Sequence, residues 1–269
     1  MKRNIHEGAN VETDDRYRAP ALDKGLDILE LLASVDGGLT QAEIAKHLDR
    51  SPNEFYRMLD RLVKRGYVTK LEGDRYSLTL KLFGLAHLHA PVRRLASFAT
   101  PFMRELADRS KQANQLAVFD RGSVVVIAQQ EAPDYWGISI RVGSHISLFD
   151  TGSGHVLLAF RSPDERRMMI AEYAKDLESV KLDQSFYERL DQIRERGYEM
   201  MPSAQVAGVY NLSAPILGPD GTCIASLTCP YVTLVNSASA PDITQTISLL
   251  QKTVKDLSKL VGSDIGATD

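Results

Sequence analysis

Two helix-capping motifs that stand eleven residues apart constrain the fold of this chain more than any other feature. The segments Thr40-Gln41-Ala42-Glu43 and Ser51-Pro52-Asn53-Glu54 each place a hydroxyl residue three positions before a glutamate. In such a capping box, the hydroxyl and the carboxylate each satisfy a backbone N–H group of the first helical turn. The spacing predicts two short helices, at 41–48 and 52–65, joined by a minimal turn. This arrangement is helix-turn-helix geometry.

The second of these helices is amphipathic. Phe55, Leu59 and Leu62 share one face and seat the helix in a core. The opposite face carries the polar side chains Asn53, Tyr56, Arg57, Asp60, Arg61 and Lys64. In a helix-turn-helix, the early residues of the second helix reach base edges and the later ones meet phosphates. The pattern predicts a DNA reader, and a protein-interaction module with a solvated charged face is the alternative.

A β-hairpin is predicted after Gly66, with strands at 67–71 and 75–80 around a turn at 72–74. Lys70 and Arg75 lie near its tip, where a phosphate or minor-groove contact is expected. Residues 50–81 hold eight basic and four acidic side chains, although the whole chain has a net charge of −3. The predicted DNA-contacting residues are Thr40, Ser51, Asn53, Glu54, Tyr56, Arg57, Arg61, Lys64, Lys70 and Arg75.

Length and composition further restrict the class of protein to which the chain can belong. A chain of 269 residues with 43% hydrophobic and 25% charged residues is typical of a water-soluble protein with two domains. No apolar run reaches the roughly 20 residues of a membrane helix, so a cytoplasmic location is expected. Residues 1–18 are polar and predict a disordered tail. Cys223 and Cys229 lie six apart on one predicted strand face, and the histidines show no metal-ligand spacing, so we expect no disulfide, metal or cofactor.

An apolar helix is predicted at 80–89, and Pro91 is expected to end it. It either packs on its own domain or pairs with a second copy across a two-fold axis. Pairing would suit a reader whose single helix contacts too few bases for useful specificity. Beyond it, hairpins at 115–128 and 211–228 enclose several helices, and a final helix follows at 242–261. This order predicts an α+β domain with an antiparallel sheet.

The segment Asp150-Thr151-Gly152-Ser153-Gly154 resembles the active-site signature of aspartic peptidases. That chemistry needs two carboxylates sharing a proton, and no second Asp-Thr/Ser-Gly occurs in the chain. The alternative is a capped helix start whose small residues leave backbone N–H groups open at the positive end of the helix dipole. Such a site binds a carboxylate or another acceptor-rich group. Tyr135-Trp136-Gly137 would supply a flat wall for it, with core packing as the alternative role of the tryptophan.

Three segments make the chain similar to the IclR family of bacterial transcriptional regulators. They are the run from Ala21 to Leu32, the run from Gly38 to Ala45, and Leu62-Val63-Lys64-Arg65-Gly66-Tyr67-Val68. The resemblance extends over nearly the whole chain. It implies a winged helix-turn-helix at 19–80, a dimerisation helix at 81–94, and a GAF-like effector-binding domain at 95–265. It further implies a regulator rather than an enzyme, which binds palindromic operator DNA as a dimer or tetramer and controls a catabolic operon.

The resemblance also implies an effector pocket, formed by residues at the helix start and on the later strands. The positions implied are Leu148, Thr151, Gly152, Ser153, Gly154, Met201, Asn211, Ser213 and Thr228. Where the family often has Lys, Asp and Cys, this chain has His155, Met201 and Asn211. These changes favour an effector with several hydroxyl groups or a larger ring over a simple keto acid. The expected effector is, more broadly, an organic acid, a sugar acid, a sugar or an aromatic catabolite.

One departure concerns the recognition helix. Family members commonly have Ser or Thr followed by Val and His there, whereas this chain has Asn53-Glu54-Phe55-Tyr56-Arg57. The operator sequence therefore does not transfer from relatives. The residues also leave open whether the protein represses or activates transcription.

Overall fold

The computed structural model describes residues 19–88, 90–134, 137–174, 182–234 and 240–265. The chain forms two compact units, residues 1–89 and 90–269. The predicted tail and the Tyr135-Trp136 pair lie outside the described residues. Within the described ranges, no helix combines the length and the apolar character that crossing a membrane requires.

The first unit contains four helices and three short strands among its described residues. They are α1 (Pro20–Ala33), β1 (Leu39–Thr40), α2 (Gln41–His47), α3 (Pro52–Lys64), β2 (Val68–Lys70), β3 (Arg75–Leu78) and α4 (Lys81–Leu88). A 3₁₀ turn at Glu72–Asp74 connects β2 to β3. The fold is the predicted winged helix-turn-helix, with one addition. The wing has three strands in the order β1-β3-β2, because Leu39 and Thr40 pair with Tyr76 and Arg75.

Both predicted capping boxes form. The Glu43 backbone N–H donates to Thr40 Oγ1 at 3.3 Å, and the Thr40 N–H donates to the Glu43 carboxylate at 2.8 Å. At the second box, the Ser51 hydroxyl donates to Glu54 at 3.0 Å. Phe55 and Ile44 from the two capped helices are buried together in the core of this unit. The caps therefore set where the helices begin, and the apolar faces set how they pack.

The second unit is α+β, with one six-stranded antiparallel sheet. Its helices are α5 (Ala90–Ser110), α6 (Gly152–Ala159), α7 (Pro163–Ala174), α8 (Gln184–Arg196) and α9 (Ile243–Ile265). Its strands are β4 (Asn114–Asp120), β5 (Ser123–Gln130), β6 (His145–Ile146), β7 (Glu199–Pro202), β8 (Tyr210–Leu217) and β9 (Cys223–Tyr231). The strand order is β6-β5-β4-β9-β8-β7. The two predicted hairpins thus join through β4 and β9, and the sequence predicted neither β6 nor β7.

One predicted helix boundary is wrong. Pro91 was expected to end the apolar helix, and the next helix to begin near Leu95. In the structure α4 spans Lys81–Leu88 and so stays before Pro91 as expected, but the next helix, α5, begins at Ala90 and has Pro91 in its first turn. A proline is tolerated there because the N–H group it lacks has no intrahelical acceptor at that position.

The two faces of the sheet differ in polarity. On one face, Leu212 and Leu227 pack with Met103 of α5 and Leu250 of α9. The other face carries a line of polar residues across four neighbouring strands, in register: Gln115, Thr228, Ser213 and Glu199. All four are buried. We call this line the polar row.

The cysteines occupy different cores. Both thiols are free and buried, and burial raises the pKa of each to about 12. The prediction that they share a strand face is wrong, because Cys223 packs in the cluster below α6 and Cys229 in the cluster below α5 and α9. The register between β8 and β9 shifts after Ile216, and the extra residue, Ile224, turns the strand over.

Two candidate functional sites

The outer face of α3 forms the first candidate site. Tyr56, Arg57, Arg61 and Lys64 are exposed there, with Tyr56 at 60%. Lys64 pairs with Asp60 at 2.9 Å, one helical turn away. Arg57 and Arg61 form no ion pair with any described residue, so their guanidinium groups face solvent. Asn53 begins this face, but its side chain lies outside the described residues.

Four residues predicted to contact DNA also have partners inside the first unit. Thr40 and Ser51 belong to the capping boxes described above. Glu54 also pairs with Lys24 at 3.2 Å, and the hydrogen bond from Lys24 holds the pKa of Glu54 below its usual value. Arg75 donates to the carbonyl oxygens of Gly37 and Gly38 at 3.2 and 2.7 Å. These side chains help to hold the helices and the wing in place, and their contacts with DNA stay a prediction.

Arg75 was predicted near the wing tip because it follows the turn directly. In the structure it starts β3 and reaches back across 38 residues to the loop before β1. Gly38 permits this packing: its φ is +72°, and a Cβ there would lie 2.5 Å from the Tyr76 carbonyl oxygen. Lys70 remains on the wing and pairs with exposed Asp74 at 2.6 Å. An exposed pair of this kind contributes little stability, so it separates readily.

The start of α6 forms one wall of the second candidate site. The Thr151 hydroxyl accepts from the Gly154 N–H at 3.1 Å and donates to the Ser147 carbonyl at 2.6 Å. The N–H groups of Gly152 and Ser153 belong to the first helical turn and have no intrahelical acceptor. All residues of α6 are buried, so these two donors lie in a protein interior rather than in bulk water.

A cavity of about 210 Å³ lies against this helix start. Five of the predicted effector residues line it: Thr151, Gly152, Ser153, Asn211 and Thr228. The remaining described lining residues are Gln115, Ile138, Ser139, Ile140, Ile146, Ser203, Gln205, Val206, Val209 and Pro230. Among the described lining residues there is no acidic or basic side chain. The cavity therefore presents hydrogen-bonding groups on one side and branched apolar side chains on the other.

A chain of hydroxyl groups forms the polar side. Thr228 Oγ1 lies 2.8 Å from Ser153 Oγ and 2.7 Å from Ser213 Oγ. The three hydroxyl groups carry three protons, and these two hydrogen bonds use two of them. The third proton is therefore available to another acceptor. When the chain runs from Ser213 through Thr228 to Ser153, that donor faces the cavity beside the N–H groups of α6.

Four predicted effector residues do not line the cavity. Leu148 is fully buried in the apolar cluster below α6. Gly154 faces Leu148, whose carbonyl oxygen would overlap with any Cβ at position 154. Met201 pairs with Asn211 in the register of β7 and β8 but is absent from the cavity wall. Ser213 is completely buried and reaches the cavity only through Thr228.

The cavity-lining residues that the sequence did not predict come from segments without a recognisable motif. Gln115 had one detectable signal, because it is an uncharged polar residue inside an apolar strand pattern. The loop after β7 contributes Ser203, Gln205 and Val206, and no periodicity marks that loop. Only the folded chain brings it over the start of α6.

Glu199 closes the far end of the polar row with a charge network. His155 Nδ1 lies 3.1 Å from its carboxylate, and Arg189 and Arg196 donate to it at 2.7 and 2.5 Å. His155 Nε2 lies 2.6 Å from the Phe149 carbonyl oxygen. Burial by itself would raise the pKa of Glu199, but hydrogen bonds from His155 and Arg189 outweigh it and hold the pKa at about 2. A permanent carboxylate thus ties α6 to α8 beneath the cavity.

Comparison with known protein families identifies the family to which both units belong. Residues 21–72 match the IclR helix-turn-helix domain, and residues 89–259 match the C-terminal domain of bacterial transcriptional regulators of the IclR type. The chain belongs to the IclR family. The family is regulatory, and the chain is a transcriptional regulator rather than an enzyme, as its sequence predicted.

Named IclR-type relatives span most of the chain. The HTH-type transcriptional regulator KdgR of Escherichia coli is 29% identical over 224 residues, which cover 82% of this chain and 84% of KdgR. The regulator BhcR of Paracoccus denitrificans is 30% identical over 219 residues, covering 80% and 78% of the two chains. The family assignment therefore rests on both domains.

Solved IclR-type structures share the fold. The Thermotoga maritima IclR superposes with a TM-score of 0.71 at 22% identity, covering 90% of this chain and 98% of that one. An IclR homologue from Microbacterium hydrocarbonoxydans, solved with 4-hydroxybenzoate, gives a TM-score of 0.73 at 20% identity, with coverages of 92% and 100%. At these identities the likeness establishes the fold alone.

Proposed function

We propose that this IclR-family regulator binds palindromic operator DNA as a dimer or tetramer, and that a small molecule in the α6 cavity alters this affinity. The observation that carries the DNA interface is the exposed face of α3, where Arg57 and Arg61 have no ion-pair partner among the described residues. Arginine pairs with guanine edges through two hydrogen bonds and also contacts phosphates, so two such groups on a capped helix suit the major groove.

The residues of this face have different roles. Asn53, Tyr56 and Arg57 stand early in α3 and read base edges, whereas Arg61 and Lys64 stand later and contact phosphates. Lys70 on the wing adds a phosphate contact once its pair with Asp74 separates. The total of phosphate contacts makes binding fall steeply as salt rises.

Self-association follows from α4. Leu80, Leu82 and Leu85 are exposed in the single chain, with Leu80 at 82%. Exposed leucines on α4 and directly before it favour burial against a second copy, and a two-fold axis would present two recognition helices to two half-sites.

The cavity supports the regulatory step. A ligand changes DNA affinity only through the difference in its affinity for two conformations, and a tenfold response needs about 1.4 kcal/mol. One or two hydrogen bonds to the start of α6, formed well in one conformation only, supply that amount. The structural neighbour solved with 4-hydroxybenzoate supports an organic acid as effector.

The test uses the full chain and its operator, located by genomic footprinting. Fluorescence anisotropy then compares the operator with a random duplex at several salt concentrations. Arg57→Ala should weaken operator binding by about 1–3 kcal/mol and random-duplex binding far less. Arg109→Ala, an equal change of charge on exposed α5, is the control and should leave both unchanged. Equal losses on both duplexes would assign Arg57 to phosphate, and a wild-type chain without operator preference would refute the proposal.

A further inference from the structure

The polar row has one member without a partner. Thr228 and Ser213 hydrogen-bond to each other, and Glu199 accepts from two arginines. Gln115 is only 3% exposed, it lines the cavity, and its Oε1 has no hydrogen-bond partner among the described residues. A buried amide oxygen without a donor is unfavourable. Because Gln115 lines a cavity, the missing donor is most simply supplied by whatever fills the cavity.

The position of Gln115 relative to the helix start restricts that occupant. Gln115 lies directly opposite Thr228 in the pairing of β4 with β9, and Thr228 hydrogen-bonds to Ser153 of α6. Directly opposed residues have Cβ atoms roughly 5 Å apart. A ligand acceptor held by the Gly152 and Ser153 N–H groups therefore lies near the ligand group that meets Gln115, since Gln115, Gly152 and Ser153 line the same cavity.

The chemistry of the two positions differs. The start of α6 offers donors at the positive end of a helix dipole, which suits a carboxylate. Gln115 offers an amide, and a hydroxyl group satisfies an amide in either orientation because it both donates and accepts. A keto oxygen only accepts, so it would leave Oε1 unpaired.

The rest of the cavity limits the size and the charge of the ligand. Ile138, Ile140, Ile146, Val206 and Val209 supply apolar walls, and the described lining has no charged side chain that would balance a second carboxylate. A single negative charge next to α6 and an apolar remainder fit these walls, whereas a dianion does not.

The geometry points to Gln115 as a specificity-determining residue, and to an effector that is a monocarboxylate with a hydroxyl group near the carboxylate and an apolar remainder. This inference rests on the proposed effector role of the cavity. It adds the class of the ligand and a residue, on a strand of the sheet, that distinguishes a hydroxy acid from its deoxy and keto analogues.

The test is calorimetry on the full-length protein with two matched sets of probes. One set is 2-hydroxybutanoate, butanoate and 2-oxobutanoate, and the other is mandelate, phenylacetate and benzoylformate. Wild type should bind the hydroxy acid of at least one set roughly tenfold more tightly than its analogues. Gln115→Met keeps the side-chain length without the amide and should bring that ratio close to one. Gln129→Met, opposite Gln115 on β5 and outside the cavity wall, should keep the wild-type ratio.

The unliganded stability gives a second readout. If Gln115 serves to bind the ligand, Gln115→Met should unfold at the wild-type temperature or above it, because a methionine of similar volume replaces an unpaired amide. A purely structural role predicts a lower melting temperature instead. A Gln115→Met protein that melts lower and keeps the wild-type ratio overturns the inference, and so does a wild type that prefers no hydroxy acid in either set.

The operator affinity of the same proteins, measured without probe, distinguishes a failure of the inference about Gln115 from a failure of the proposed function. Normal operator binding combined with an unaltered probe ratio in Gln115→Met refutes the inference about Gln115 and leaves the DNA reader intact. Hydroxy-acid selectivity that depends on Gln115, in a chain without operator preference, refutes the proposed function and leaves the inference standing.

Discussion

Removing the charge of Glu199 should destabilise the second unit by about 3 kcal/mol at neutral pH. The carboxylate is fully buried and accepts hydrogen bonds from Arg189, Arg196 and His155. Its pKa is about 2 in the folded chain, against an ordinary value of 4.5. Each pKa unit corresponds to about 1.4 kcal/mol, so the ionised form stabilises the fold by about 3 kcal/mol.

The pH dependence has a definite sign. Because the folded pKa is lowered, this contribution is complete above pH 4.5 and is lost as the pH falls toward 2. Glu199→Gln cannot ionise and lacks the contribution at every pH. The difference in free energy of unfolding between wild type and variant should therefore be greatest at pH 7 and should shrink between pH 4.5 and 2.

Urea unfolding at pH 7, 4 and 3 measures this difference. Circular dichroism follows the unfolding, because helices α5 to α9 of the second unit supply most of the helical signal among the described residues. Glu195→Gln, on the exposed side of α8, is the matched control and should change stability by less than about 0.5 kcal/mol. A difference between wild type and Glu199→Gln below about 1 kcal/mol at pH 7, or one that stays constant with pH, would refute the electrostatic account.

Two further predictions concern packing and assembly. Gly154→Ala should destabilise the second unit by about 2 kcal/mol or more in the same urea assay, because the new Cβ would overlap the Leu148 carbonyl. Gly25→Ala, where a Cβ meets nothing within 4 Å, should instead stabilise α1 by roughly 0.5–1 kcal/mol, and equal effects of the two would contradict the packing. Leu85→Glu should shift sedimentation of the chain toward monomer, since an unpaired carboxylate would be buried at the interface. The control Met168→Glu, at an exposed site on α7, should leave the sedimentation unchanged. A wild-type chain that sediments as a monomer at micromolar concentration would refute the role of α4 in self-association.

Local chemistry made much of the fold predictable. Each capping box joins residues three apart, so Thr40 with Glu43 and Ser51 with Glu54 mark helix starts without reference to the rest of the chain. A cap at the start of α6 was predictable for the same reason, and in the structure Thr151 supplies it. The hairpins follow from alternation and turn residues that are also close in sequence.

Tertiary packing decided the site. Gln115 and Thr228 are 113 residues apart, and only the pairing of β4 with β9 makes them neighbours at the cavity. The same holds for Arg75, whose partners are 37 and 38 residues away, and for Gly154, which is small because it packs against Leu148 rather than to admit a ligand. Helix caps, turns and periodicity act within a few residues and are legible in the chain. Register between distant strands depends on the free energy of the whole sheet and core, so it sets which polar side chains meet and which one is left unpaired.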